Sequence, residues 1–386
     1  MTTRWRLETQ LVHGGELRPR VRGAATLPIF QSTVFESRHA VGHDQIVYPR
    51  LNNLPIHEVL GAKLAALEGA EAGLVLGSGM AAITGALLSV LGPGDHVLLQ
   101  AGVYGGSHTF LTGELPRLGI GCDLIDADDP EQWERLCRAE TKAVFVESLT
   151  NPLLRVIDHR KLVDFARRRG LVSIVDNTLA TPVLFRAGAF GYDLVVHSAT
   201  KYLNGHSDVV AGVVCGGAAR IYAARRTSIH YGGTLDPHAA FLLHRGLLTL
   251  GLRVRHQSRT ARALAEFLEH RPEVKRVFYP SLASHPDRAR ASELFDGGAG
   301  GLLSFELAGG AEAAERLLDR VELPLCAPSL GGPETLLTRP VTSSHSGLTQ
   351  KDRERAGIDD ALLRMAVGFE APEDLIADLD RALGEG

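Results

Sequence analysis

Apolar positions change their rhythm along the chain. Residues 1–50 show no sustained periodicity and are interrupted by Gly, Pro and Arg, as expected of an arm that lies over another surface. From Pro55 the pattern is regular: Leu60, Leu64 and Leu67 recur at helical spacing until Gly69. Short runs that are apolar on both faces then appear at Leu74–Leu76, His96–Leu99, Ala143–Val146, Val172–Val175, Asp193–Val196 and Val209–Val214. Helix-like stretches at 79–91, 131–139 and 159–169 separate them, the last ended by Gly170. Strands buried on both faces and alternating with helices predict an α/β domain over 51–252, with a mainly parallel sheet covered on each side. Beyond Leu252 the pattern is sparser. A helix over about 253–270, runs at Val274–Tyr279, Leu302–Leu307 and Arg364–Phe369, and a closing helix at 372–384 predict a smaller α+β domain over 253–386.

Bulk properties narrow the partners. The 386 residues suit two packed domains, and 45% hydrophobic with 22% charged residues is the balance of an ordinary globular protein. Net charge is −4 with Lys and Arg dispersed, which argues against nucleic acid or an anionic membrane and for a small-molecule partner. Cys122, Cys137, Cys215 and Cys326 are widely spaced and predict reduced, mostly buried thiols rather than a disulfide framework. No apolar run of about 18 residues predicts a membrane span, and the polar start lacks a signal-peptide core, so a cytoplasmic location is expected. The sixteen histidines are scattered without metal-ligand spacing, and HExxH, GxSxG and Walker A sequences are absent, so no metal site is expected.

Lys201 follows directly on the buried run Leu194–Val196, where α/β folds place ligand-binding groups. An isolated lysine is usually a solvated surface charge. Ser198 and Thr200 beside this one supply hydroxyls suited to the phosphate of a cofactor tethered to the amine. Asp176 likewise ends the run Leu171–Val175. It can be a helix N-cap, or the carboxylate that keeps a pyridinium nitrogen protonated so that the ring withdraws electrons from Cα. Gly77-Ser78-Gly79-Met80-Ala81-Ala82 lies between a strand and a helix, where glycines admit an oxyanion to free amides. The same residues match a dinucleotide fingerprint, but that fold expects an acid about 20 residues on, closing the second strand, where this chain has Gln100. A single-phosphate cradle is the better reading. Tyr104, just beyond the second strand, is either an ordinary half-buried tyrosine or a ring stacked on the cofactor and able to exchange protons.

Together these residues resemble the pyridoxal-phosphate enzymes of cysteine and methionine metabolism, among them cystathionine gamma-synthase, cystathionine gamma-lyase and methionine gamma-lyase. The similarity is carried by Ser198-Ala199-Thr200-Lys201-Tyr202-Leu203-Asn204-Gly205-His206-Ser207-Asp208, Val175-Asp176-Asn177-Thr178, Glu147-Ser148-Leu149-Thr150-Asn151-Pro152 and Ser78-Gly79-Met80-Ala81-Ala82. It extends from Pro28-Ile29-Phe30-Gln31 to Met365-Ala366-Val367-Gly368-Phe369-Glu370. The resemblance implies the aspartate-aminotransferase-like fold (fold type I), pyridoxal 5'-phosphate held as a Schiff base on Lys201, and a homotetramer of two active dimers. It places Ser78, Gly79, Met80, Asn151, Asp176, Thr178, Ser198 and Thr200 around the cofactor, with Tyr104 stacked on it. Tyr48 and Arg50, matching a Y-x-R motif in the arm, would reach the neighbour's cofactor phosphate. Arg364 falls where the substrate's α-carboxylate is held, and Ser329 is a nearby substrate contact.

Three departures stand on the substrate side of that pattern: Asn52-Asn53-Leu54-Pro55 in place of Gly-Asn-Pro-Thr, Thr109, and Pro328. They put cystathionine itself in doubt. The expected activity is β/γ-elimination, as in a carbon–sulfur lyase, or γ-substitution on a sulfur amino acid or activated homoserine. Use of the same scaffold in a specialised amino-acid pathway is the alternative. A nicotinamide-dependent oxidoreductase and a cofactor-binding protein without catalysis are the competing classes.

Overall fold

The computed structural model describes residues 5–38, 45–126, 128–347, 350, 353 and 357–384. Its larger sheet contains β1 (Ala72–Leu76), β2 (His96–Gln100), β3 (Gly121–Ile125), β4 (Thr141–Glu147), β5 (Val172–Asp176), β6 (Leu194–Ser198) and β7 (Gly212–Gly216). Their spatial order is β1-β7-β6-β5-β4-β2-β3. Successive residues of each strand feed opposite cores. Val75, Leu98, Val144 and Val146 enter one, whereas Leu74, Leu76, Val97, Leu99 and Phe145 enter the other. This two-sided burial is why the strands read as unbroken apolar runs.

The expected helices are present, with the 159–169 and 372–384 spans met end for end and the first helix covering Pro55–Glu68. Gly69 and Gly170 adopt left-handed conformations that close their helices. Other details depart from expectation. Strand β3 was not anticipated, because Gly121-Cys122-Asp123 at the sheet edge is only partly buried and leaves a weak apolar signal. Strand β7 starts at Gly212 rather than Val209 and runs antiparallel to both β1 and β6. No helix links it to β6; residues 199–211 make turns and an irregular return, so the chain reverses along the sheet.

The smaller sheet contains β8 (Val274–Phe278), β9 (Leu302–Leu307), β10 (Leu325–Cys326), β11 (Leu336–Thr338) and β12 (Leu362–Ala366), in the order β10-β11-β12-β9-β8. The last strand therefore begins two residues before the expected Arg364 and ends at Ala366. The helices Leu250–Glu269 and Pro372–Gly384 cover this sheet through Leu264, Leu268, Leu375 and Leu379. No helix among the described residues is long and apolar enough to cross a membrane. All four cysteines are free, but only Cys215 is buried; Cys122 and Cys137 are half-buried, and Cys326 is exposed on the short β10.

Residues 1–4 and 39–44 of the expected arm lie outside the described residues. Its remainder is tied to the larger domain by a buried ionic knot. Lys63 donates to the Leu11 carbonyl at 2.9 Å and pairs with Glu16 at 3.1 Å, while His244 meets the same carboxylate at 2.8 Å.

The helix Pro55–Glu68 can lie close on β1 because two glycines face each other. A Cβ on Gly61 would sit 2.4 Å from the Gly73 carbonyl oxygen, and one on Gly73 would meet the Gly61 oxygen at 2.4 Å. Backbone on backbone cannot yield by side-chain rotation. Gly61→Ala is therefore expected to lower unfolding stability by about 1–3 kcal/mol, the usual cost of overpacking, and chemical denaturation would measure it.

Candidate active site

The larger sheet directs the carboxyl ends of β4, β5 and β6 toward the smaller domain, and a cavity of about 590 Å³ opens between them. Its walls include Ser78, Gly79, Met80, Tyr104, Asn151, Asp176, Thr178, Ser198, Thr200, Lys201, Ser329 and Arg364. Residues nearly 290 positions apart in sequence are thus brought to one chamber.

The cavity has an anion-receiving wall. The helix Gly79–Leu88 starts there, its N-cap Ser78 accepting the Ala81 amide at 3.0 Å. The amides at the very start of such a helix lack intrahelical partners and can face an oxyanion. A Cβ on Gly79 would come within 2.8 Å of Ser198 Cβ and 2.9 Å of its hydroxyl. Only glycine leaves this wall its present shape. The Thr200 hydroxyl, opposite, exchanges hydrogen bonds with Ala211 across the return to β7.

Lys201 lines the cavity from the turn after β6. Its Nζ donates to Ser329 Oγ at 2.9 Å, a bond that crosses from the larger domain to the smaller one. Burial, and then the charge of Arg364, hold its amine below the ordinary lysine range. Ser329 is itself held at φ 138°, in the left-handed half of backbone space where a side chain is strained.

Asp176 closes β5 and is buried. One of its oxygens accepts both the amide and the hydroxyl of Thr178, the amide at 2.9 Å. The same hydroxyl accepts the Ser198 amide at 2.8 Å, so Thr178 couples the end of β5 to the end of β6. Burial raises the Asp176 carboxyl, while Thr178 and nearby His197 oppose the shift. The helix-cap reading of Asp176 reduces to this local turn, and its side chain remains on the cavity wall.

Arg364 stands in the middle of β12, paired in register with Thr338 and Ser304. It is almost wholly buried, and burial pushes it down to about 10. Its Nη1 donates to Asn151 Oδ1 at 3.3 Å and Nη2 to the Ser329 carbonyl at 2.9 Å. Its Nε has no partner. A buried guanidinium with an unused donor is prepared for a carboxylate. Asn151 is thereby placed against Arg364.

Tyr104 is 42% exposed on the cavity wall, and its amide donates to Glu147 Oε1 at 2.7 Å. Tyr48 and Arg50 are not on this cavity. Arg50 reaches the Ile229 carbonyl at 3.4 Å and lies over the Tyr48 ring, 5.6 Å from its centre. Of the three substrate-side departures, Pro328 lines the cavity, whereas Thr109 does not. Asn52 and Asn53 are buried and bonded to backbone at Val75, Tyr48 and Ile46, which makes them props of their own segment.

Sequence reasoning passed over several wall residues: Glu147, Leu179, Val210, Ser343 and Ser344. Glu147 had a detectable signal, a carboxylate at the end of an apolar run like Asp176. Ser343 and Ser344 had none, since tertiary folding alone brings them here.

The residue set fits pyridoxal phosphate: a cradle that a Cβ at Gly79 would fill, an amine of lowered basicity, a buried carboxylate and a cationic fork share one chamber. Comparisons agree. The family model for Cys/Met metabolism PLP-dependent enzymes matches residues 8–384. A cystathionine gamma-lyase from Bacillus subtilis is 38% identical over 381 residues, covering 97% of this chain and 98% of that protein. A cystathionine gamma synthase from Xanthomonas oryzae pv. oryzae, crystallised with aminoacrylate and cysteine, superposes with TM-score 0.94 at 37% identity over 99% of this chain and 98% of that one. A Campylobacter jejuni structure described as an O-acetylhomoserine (thiol)-lyase, containing a pyridoxyl-lysine monophosphate, gives TM-score 0.92 at 32% identity over 99% of this chain and 100% of that one. The fold is that of these enzymes, and the chain belongs to the family of pyridoxal-phosphate-dependent enzymes of cysteine and methionine metabolism.

Proposed function

We propose that this enzyme breaks or exchanges a bond from Cβ or Cγ to a heteroatom in a sulfur amino acid or an activated homoserine. The observation that carries the reading is Lys201: a half-buried amine of lowered basicity that shares one cavity with the carboxylate of Asp176 and the guanidinium of Arg364. Relatives named as cystathionine gamma-lyase and gamma synthase support the same choice of chemistry.

When bound, pyridoxal phosphate supplies an electron sink for charge developing at an amino acid's Cα. The chain's residues provide the rest. The amides of Gly79 and Met80 with the hydroxyls of Ser198 and Thr200 receive the phosphate. Asp176 would hold a proton at the ring nitrogen of the bound cofactor, and Tyr104 would be one of the residues holding the ring. Arg364 fixes the substrate's α-carboxylate, presenting Cα to Lys201. The Lys201 amine removes the Cα proton and carries protons to and from the side-chain carbons, and Ser329 holds it in reach. Tyr48 and Arg50 reach toward a second subunit, where they complete the neighbour's phosphate site in a homotetramer.

A panel of cystathionine, methionine, cysteine and O-acetylhomoserine with a thiol resolves the reaction. Release of 2-oxobutanoate or pyruvate marks elimination, and a thioether marks substitution; no turnover and no spectral change with any of them would contradict the proposal. Arg364→Ala should reduce kcat/KM about 100-fold, on the order of 3 kcal/mol for a lost charge-assisted pair, chiefly through KM. Arg50→Ala and Lys201→Ala should each be inactive or nearly so, yet mixed subunits should regain activity. Absence of rescue in subunits shown to exchange would contradict the shared site.

A further inference from the structure

Glu147 and Asp176 are register partners at the ends of adjacent strands β4 and β5, and both line the cavity. Both are buried. Two ionised carboxyls side by side in such a place repel each other strongly, and the usual resolution is one shared proton. Their surroundings decide which group keeps it.

Asp176 has the better support for a charge. Thr178 gives it two donors on one oxygen, and His197, reaching Glu68 at 2.7 Å on its other side, lies near enough to favour the anion. Glu147 accepts the Tyr104 amide on Oε1 at 2.7 Å and has the Asn151 backbone near enough to favour its anion weakly, but its Oε2 has no hydrogen-bond partner within normal geometry. An unpaired anionic oxygen at that depth is far costlier than a neutral hydroxyl. Burial and the neighbouring Asp176 charge both drive the Glu147 carboxyl well above the usual range. The cations of the same chamber, Lys201 and Arg364, approach from the turn after β6 and from the smaller-domain side, respectively. Arg364 spends its two terminal nitrogens on Asn151 and Ser329, and Lys201 its amine on Ser329, so neither is bonded to Glu147.

We infer that Glu147 and Asp176 hold a single proton between them, carried by Glu147, so that the site offers one negative charge, on Asp176, while neutral Glu147 fixes the backbone of Tyr104. The inference rests on the placement of Asp176 against the cofactor's ring nitrogen. It makes Glu147 a positioning residue. A second full charge would over-stabilise the protonated ring and pull the Lys201 amine toward its cationic form; a neutral acid leaves both tuned by Asp176 alone.

The test is infrared spectroscopy of the holoenzyme near neutral pH, with carboxyl-13C glutamate or aspartate incorporated in turn. A protonated-carboxyl stretch should shift with labelled glutamate and not with labelled aspartate, and Glu147→Gln should remove it. Because Gln keeps a neutral acceptor for Tyr104, that variant should retain the wild-type pH midpoint of the cofactor's visible band. Glu147→Ala should lower kcat/KM roughly tenfold through loss of one buried hydrogen bond. No protonated-carboxyl band, a shift with aspartate instead, or a Gln variant whose midpoint moves as far as that of Asp176→Asn would overturn the inference. The wild-type labelling decides the matter even if a variant fails to fold. A protein that binds no cofactor contradicts the proposed function, whereas a coloured enzyme with the proton on Asp176 contradicts this pair only.

Discussion

Ionisable groups taken out of water have to be balanced against one another, and in this protein that balance is centred on the amine of Lys201. Surrounded by bulk water the amine would stay charged and unreactive. Here burial disfavours its cation, and Arg364, itself buried, adds a repulsive charge. The carboxyl side of the ledger is Asp176, restrained by Thr178, with Glu147 next to it. Arg364 acts on Lys201 and Asp176 acts on Glu147, so two interacting pairs from separate elements meet in one chamber.

The fold serves to hold these groups in place. Strands β4, β5 and β6 are buried on both faces, which gives their carboxyl ends little freedom, and each delivers a group to the same chamber. The smaller sheet supplies the opposing wall through Arg364 on β12 and through Ser329. The Lys201–Ser329 and Arg364–Asn151 hydrogen bonds join the two domains across the cavity itself. Any relative displacement of the domains would therefore be felt at the reacting amine first. The strained backbone at Ser329 is consistent with a residue held in place by what it must touch.

Much of this was legible from the chain. Lys201 and Asp176 stand out because a charged residue directly after a run of buried apolar residues is costly unless it has work to do. The helices that begin at Pro55 and His159 are announced by their periodicity and by glycines that stop them. Other features leave no local trace. Strand β3 is an edge, half wetted and rich in small or polar residues, so its pattern is faint. The reversal of β7 depends on how residues 199–211 return, which apolar spacing does not encode. Arg364 lies inside an ordinary apolar strand, and resemblance rather than periodicity pointed to it. Glu147 sat in plain view as a strand-end acid, but its meaning comes from lateral pairing with Asp176, and pairing between strands is a property of the sheet.

The central claim, that the Lys201 amine is the covalent attachment point of pyridoxal phosphate, can be read directly. Borohydride reduction of the purified, reconstituted enzyme followed by peptide mass spectrometry should find a single phosphopyridoxyl adduct, on the peptide containing Lys201. Attachment to a different lysine, or no adduct in protein that retains its fold, would contradict the account.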